Sequence, residues 1–151
     1  MLDDADRRLL RLWMAAPDLT PAALAEAAGL PPATAARRIE RLREAGVLRG
    51  VRGVIDWTAL GYGVQVSLRI QIDKAAPRAF EAFLAAAREV PEVIEMQTFL
   101  GRVDARLAVI ARDMGDWQRL YRDRILTLPH IAEVEALMHV ATVKTDAVLP
   151  V

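Results

Sequence analysis

The chain punctuates itself twice in the same way. REVPEVIE (88–95) and LTLPHIAE (126–133) each end an apolar-periodic stretch, place a proline, and start a new apolar run, with Pro91 and Pro129 38 positions apart. Proline lacks the N–H that a helix interior needs and pushes the preceding residue toward extended backbone, so each site ends a helix ahead of a strand. The spacing predicts helices over PRAFEAFLAAAREV and MGDWQRLYRDRILTL, followed by strands VIEMQTFL and IAEVEALMHVATVK. Before the first helix, GVQVSLRIQID alternates strictly. Val64, Val66, Leu68, Ile70 and Ile72 share one face, and Gln65, Ser67, Arg69 and Gln71 the other, as in a half-buried strand. Before the second helix, Gly101 turns the chain into VDARLAVIAR. Strand–helix–strand therefore occurs twice, the ferredoxin-like βαββαβ order, with helices on one face of an antiparallel sheet and the other face open. Such an open face commonly docks on a copy of itself, so a homodimer is expected.

The first third of the chain has helical periods. In LDDADRRLLRLWMAA, Leu9, Leu12 and Trp13 form an apolar stripe that Pro17 ends. Thr20 followed by Pro21 is an N-cap with proline at the first helical position, opening PAALAEAA, which Gly29 stops. Pro32 starts a third helix to Ala45, with Ala35, Ile39 and Leu42 facing inward and Gly46 beyond its end. Two helices joined by a tight glycine turn, braced by a preceding helix, make a helix-turn-helix. VLRGVRGVIDW after it has the look of a linker strand. The expected fold is α+β: a winged-helix-like helix-turn-helix domain at 1–49, a linker strand at 50–62, and a ferredoxin-like domain at 63–151.

Charge adds direction. Formal net charge is zero, yet residues 31–52 carry six arginines and two glutamates, net +4, while the segments on either side are each net −2. On the third helix Thr34, Arg37 and Arg41 share a face, with Arg38 beside it. Guanidinium pairs bidentately with phosphate oxygens or with the O6/N7 edge of guanine. Arg37, Arg38 and Arg41 are thus candidate groove contacts with Thr34, and Arg43 and Arg49 candidate phosphate contacts. The plain alternative is a solvated face laced by Arg37–Glu40 and Arg41–Glu44 pairs. The tri-helical context, which presents this helix outward, favours double-stranded DNA as the partner.

Other chemistries find little in the sequence. There is no cysteine. The two histidines, His130 and His139, lack metal-ligand spacing, so no metal site is expected. No phosphate-cradling glycine loop occurs, and no cofactor or catalytic residue is expected. No apolar run is long enough to span a bilayer, and MLDDADRR does not read as a secretory signal, so the expected setting is cytoplasmic, away from the membrane.

Successive blocks of the chain, among them LDDADRRLLRLW, ALAEAAGLPPATAARRIERLREAGVLRG, VIDWTALGY, EVPEVIEMQTFLGRVDARLAVIARD and LTLPHIAEVEALMHVATVK, resemble the Lrp/AsnC (feast/famine) transcription regulators over residues 2–145. The resemblance implies a sequence-specific regulator that is not an enzyme. It also implies dimers that often associate into octamers, and an amino acid or related metabolite bound where dimers meet. The LGRVDARL segment corresponds to the family's G-x-x-D effector loop. By that correspondence the turn after Thr98 takes the ligand. Asp104 would accept from its amine, the backbone at Gly101 and Arg102 would hold its carboxylate, and His139 would line the pocket from a neighbouring chain. The residues alone favour a plain hairpin turn in which Asp104 caps its own backbone. The sequence departs from the family pattern in having Pro31 where a serine usually caps the third helix, Asp18 where arginine is common, and Ala105 after the aspartate. One enzymatic alternative with this architecture is a sirohaem decarboxylase.

Overall fold

The computed structural model describes residues 2–144. The chain divides into two compact units, a helical one built from residues up to Val54 and a sheet unit at Ile55–Thr142.

The helical unit comprises α1 (Asp4–Ala15), α2 (Pro21–Ala27) and α3 (Pro32–Glu44). A capping box starts α1: the Asp3 carboxylate accepts from Asp6 N at 2.9 Å, and the Asp6 carboxylate accepts from Asp3 N at 3.2 Å. Thr20 caps α2 by accepting from Ala23 N, with Pro21 at the first position. Pro31 offers α3 no side-chain cap, as its missing acceptor requires. Gly46 takes φ +69°, where a side chain would be strained, and lets Val47 N return to Leu42 O at 2.9 Å. Leu9, Leu24, Ala25, Ala28, Ala35 and Ile39 form the core, with Leu12, Trp13, Leu30 and Leu48 packed against it. The third helix buries its expected stripe whole, and of the first helix's stripe Leu9 is buried while Leu12 and Trp13 are half-buried against the core.

The linker differs from expectation. Residues 51–56 adopt neither helix nor strand, and no backbone hydrogen bond joins them to another described residue. Val51, Val54 and Ile55 are exposed. Apolar, β-branched composition favours a strand, but a strand exists only when a second backbone pairs with it.

In the sheet unit the order is β1 (Val64–Ile72), α4 (Ala79–Arg88), β2 (Val93–Thr98), β3 (Ala105–Ala111), α5 (Met114–Leu120) and β4 (Ile131–Met138). The strands lie β2-β3-β1-β4, all pairs antiparallel, the ferredoxin-like topology. Val66, Leu68, Ile70 and Ile72 bury against Phe83 and Ala87 of α4 and Trp117 and Leu120 of α5. The opposite face carries Gln65, Ser67, Arg69 and Gln71, with Leu137, Glu135 and Glu133 as β4 neighbours of the last three.

Two boundaries shift for physical reasons. The helix expected over 114–128 becomes a π-helical turn at Tyr121–Ile125, with Leu126 N on Tyr121 O. A regular α-turn after Leu120 would bring Arg124 into the core position. The wider turn puts Ile125 there, fully buried, and leaves Arg124 exposed. The fourth strand stops at Met138 rather than running to Lys144. Its partner β1 begins at Val64, and after His139 N meets Gln65 O no further partner backbone remains.

Candidate DNA interface and ligand pocket

On α3, Ala35, Ile39 and Leu42 are buried against α1 and α2, which turns the opposite ridge outward. The four arginines of this helix have different fates. Arg38 Nη1 donates to both carboxylate oxygens of Asp3, at 2.8 and 2.7 Å, and to Asp6 Oδ1 at 2.8 Å, while its Nε is buried without an acceptor. Arg41 Nη2 donates to Asp6 Oδ2 at 2.5 Å, though over half of its side chain stays in solvent. Arg43 lies over the Trp13 ring, 5.7 Å from its centroid, and 3.5 Å from Glu40. Arg37 is exposed and makes no ion pair or hydrogen bond with a described residue. Arg49 is likewise exposed, and Thr34 sits half-buried on the flank that it shares with Arg37 and Arg41. The Arg37–Glu40 and Arg41–Glu44 pairs considered from the sequence do not form. Glu40 pairs instead with Arg43, and Arg41 reaches Asp6, whose fully buried carboxylate requires a compensating charge.

The charge pattern of α3 is therefore set by α1. Asp3 and Asp6, which form the capping box of α1, together draw Arg38 and Arg41 toward the first helix. The Asp6 backbone N–H and then the Arg38 guanidinium hold the Asp3 carboxyl down to about 2, so it is ionised throughout the neutral range.

The residues of the β2–β3 turn separate just as clearly. Thr98 ends β2, and Phe99 N donates to Asp104 O at 3.0 Å, closing the loop. Gly101 has φ +151° with open space where a side chain would stand. Leu100 and Arg102 project into solvent. Asp104 points inward: its Oδ2 accepts from Ile72 N at 2.9 Å and its Oδ1 meets Lys74 Nζ at 2.6 Å. The Ile72 N–H and then the Lys74 ammonium lower the Asp104 pKa. The hairpin-turn alternative thus describes its contacts, with the difference that the backbone it caps belongs to the end of β1. His139 lies one residue past β4, exposed, with Nε2 3.0 Å from Thr142 Oγ1.

Of these residues Arg102 alone lines the cavity of the sheet unit. That cavity, about 300 Å³, opens on the uncovered sheet face and is bounded by Arg69, Gln71, Arg102, Val103, Glu133 and Glu135. Arg69 faces Glu135 at 3.4 Å, Gln71 Nε2 donates to Glu133 at 2.8 Å, and Arg102 stands 4.0 Å from Glu133. Sequence reasoning missed the β4 pair. Alternation placed Arg69 and Gln71 on the polar face, but nothing in one strand tells which residues of another stand opposite. The cavity offers both signs of charge side by side, the chemistry of a zwitterion site.

Two family models divide the chain between them. The winged helix-turn-helix DNA-binding model matches residues 2–49, and the Lrp/AsnC ligand binding domain model matches residues 65–149. The chain is 36% identical to the HTH-type transcriptional regulator AldR of Mycolicibacterium smegmatis over 78% of its own length and 69% of the relative's. It is 30% identical to the proline dehydrogenase transcriptional activator of Rhodobacter capsulatus over 87% of its length and 86% of the relative's. Among solved structures it superposes on a transcriptional regulator of Neisseria meningitidis in complex with L-Met. The TM-score is 0.91 at 26% identity, over 99% of this chain and 97% of that one. The relatives are regulators, and the sirohaem decarboxylase alternative finds no support among them. With a DNA-binding helix-turn-helix followed by a small-molecule-binding ferredoxin-like domain, both matched along their length, the chain belongs to the Lrp/AsnC family of transcriptional regulators.

Proposed function

We propose that α3 enters the DNA major groove with Arg37 as its principal base-reading side chain, flanked by Thr34 and the solvent-exposed part of Arg41. The observation that carries this is the contrast on one helix between Arg38, drawn onto two carboxylates, and Arg37, exposed with no partner among the described residues. Arg43 and Arg49 are placed for phosphates. Arg38 belongs to the scaffold that orients the helix. The acting unit is a homodimer. The exposed apolar linker at Val51, Val54 and Ile55 and the uncovered sheet face supply self-complementary surface, and association into an octamer follows the same logic at the exposed Phe99 and Leu100. Two-fold symmetry then calls for a palindromic operator with half-sites about one helical turn apart or a multiple of it. The protein works on DNA in the cytoplasm.

The effector is an amino acid, as the relative crystallised with L-Met supports by analogy. The loop through Thr98, Gly101 and Arg102 presents it at a contact between copies, with Arg102 taking the carboxylate. Asp104 fixes the loop to β1, and His139 borders the far end of the sheet. Calorimetry against the twenty amino acids tests this, with Arg102→Ala and Asp104→Asn alongside wild type. Binding weakened by Arg102→Ala but kept by Asp104→Asn supports the assignment. Binding that Asp104→Asn alone abolishes makes Asp104 the amine acceptor. Fluorescence anisotropy with operator DNA tests the groove assignment. An Arg37→Ala protein that binds as tightly as wild type refutes it.

A further inference from the structure

The outward ridge of α3 carries an acid where a helix approaching a polyanion gains nothing from one. With Ala35, Ile39 and Leu42 inward, the residues directly opposite are Ala33, Arg37, Glu40 and Glu44, all exposed. Glu40 lies near the middle of this ridge, 63% of its side chain in solvent, and its one ion pair among the described residues is a long contact of 3.5 Å to Arg43. Arg38 is turned away onto Asp3 and Asp6, and Arg41 leans to Asp6, so the ridge reads Arg37–Glu40 rather than as an unbroken basic strip.

A carboxylate so placed repels phosphate at every sequence. It is compensated only where it meets a hydrogen-bond donor. In the major groove cytosine presents the N4 amino group, whereas adenine's amino group stands beside the N7 acceptor, which repels a carboxylate. Residues three apart on a helix stand about 5–6 Å apart at Cβ, near enough for Arg37 and Glu40 to address adjacent base pairs.

We infer that Glu40 is a specificity-determining residue of DNA recognition, accepting from the N4 amino group of a cytosine next to the base that Arg37 reads. The inference rests on α3 being the recognition helix. Glu40 acts mainly by excluding other sequences, and weaker attraction to DNA in general is the consequence.

The test is selection from a randomised duplex library with the full-length protein as wild type, Glu40→Ala, Glu40→Gln and Arg37→Ala, at near-physiological salt. Wild type enriches a cytosine at one position of each half-site. Glu40→Ala loses that preference alone, a drop of roughly tenfold in discrimination, keeps the remaining consensus, and binds random duplex more tightly than wild type. Glu40→Gln changes the preferred base at that position to adenine, because an amide matches the N6/N7 edge. Arg37→Ala relaxes a neighbouring position. An unchanged consensus in Glu40→Ala overturns the inference while leaving the recognition helix in place, as does an altered position whose wild-type base is not cytosine. A wild type that enriches no sequence, with Arg37→Ala unchanged in affinity, overturns the recognition-helix reading itself.

Discussion

Asp6 in the helical unit and Asp104 in the sheet unit are the two buried carboxylates among the described residues, and their surroundings answer the same problem differently. Asp6, fully buried, accepts the Asp3 N–H of its own helix start and is neutralised by two guanidinium groups: Arg38 and Arg41 reach it from a helix more than thirty residues away in the chain. Asp104 takes a backbone N–H from Ile72 and the single ammonium of Lys74. In the first case a buried acid draws two cations of α3 toward α1. In the second it pins a loop to the end of a strand. Neither acid engages Arg37 and Glu40 on one unit or Arg102 and Glu133 on the other, the residues to which the proposals above assign the contacts with DNA and ligand.

Asp6→Ala is the largest break in this comparison. Removing Asp6 leaves Arg38 to Asp3 alone, returns the half-exposed Arg41 to water and breaks the capping box, together a cost of about 3 kcal/mol. The helical unit should lose protection across α1 and α3 in hydrogen exchange while the sheet unit keeps its own. Equal loss in both units would show that the cluster is not local to the helices.

The next pair sharpens the contrast between neighbours. Arg37→Ala should cost about 1–3 kcal/mol of operator binding with no change in melting temperature, the mark of a base contact. Arg38→Ala should do the reverse, lowering the melting temperature of the helical unit and leaving the salt slope of DNA binding as it was. Identical profiles for the two variants would erase the distinction drawn from their partners.

In the sheet unit, Asp104→Ala leaves the Ile72 N–H buried without its acceptor, a cost of about 1–3 kcal/mol. Asp104→Asn keeps an acceptor for that N–H and loses only the attraction to Lys74, so it should lie closer to wild type. Urea titration of the two variants separates the contributions, and Asn behaving like Ala would assign the weight to Lys74.

The smallest effects are in acid. Asp3 is lowered from 3.8 to about 2, so its contribution is complete above 3.8 and disappears as the pH falls toward 2. Asp104 is lowered as well, and its contribution also fades with acid. Asp3→Asn should flatten the acid loss in the helical unit alone, and Asp104→Asn that in the sheet unit alone, as read by exchange or by circular dichroism.

Legibility followed the range of the interactions. The second helix was clear because Thr20, Pro21 and Gly29 act within one or two turns, and β1 because alternation is a property of one strand. Arg38 read as a DNA contact because its residue type and position on the helix permit that use. Its partners lie in α1, and only packing brings them within reach. Asp104 read as a turn cap from the residues and as a ligand acceptor from the family resemblance, and its contacts within the chain depended on where the end of β1 sits. The linker carries strand-forming residues, yet pairing needs a second backbone that no local pattern supplies.

The sequence by itself determined the two-unit plan, the inward stripes, the helix-turn-helix and the doubled strand–helix–strand order, since periodicity, caps and proline positions act over a few residues of the same chain. The tertiary structure alone decided which charges are spent inside the molecule and which face outward. That choice depends on distances between elements far apart in the chain, where a carboxylate out of contact with water draws the nearest guanidinium or N–H and leaves the next arginine, one position away, exposed.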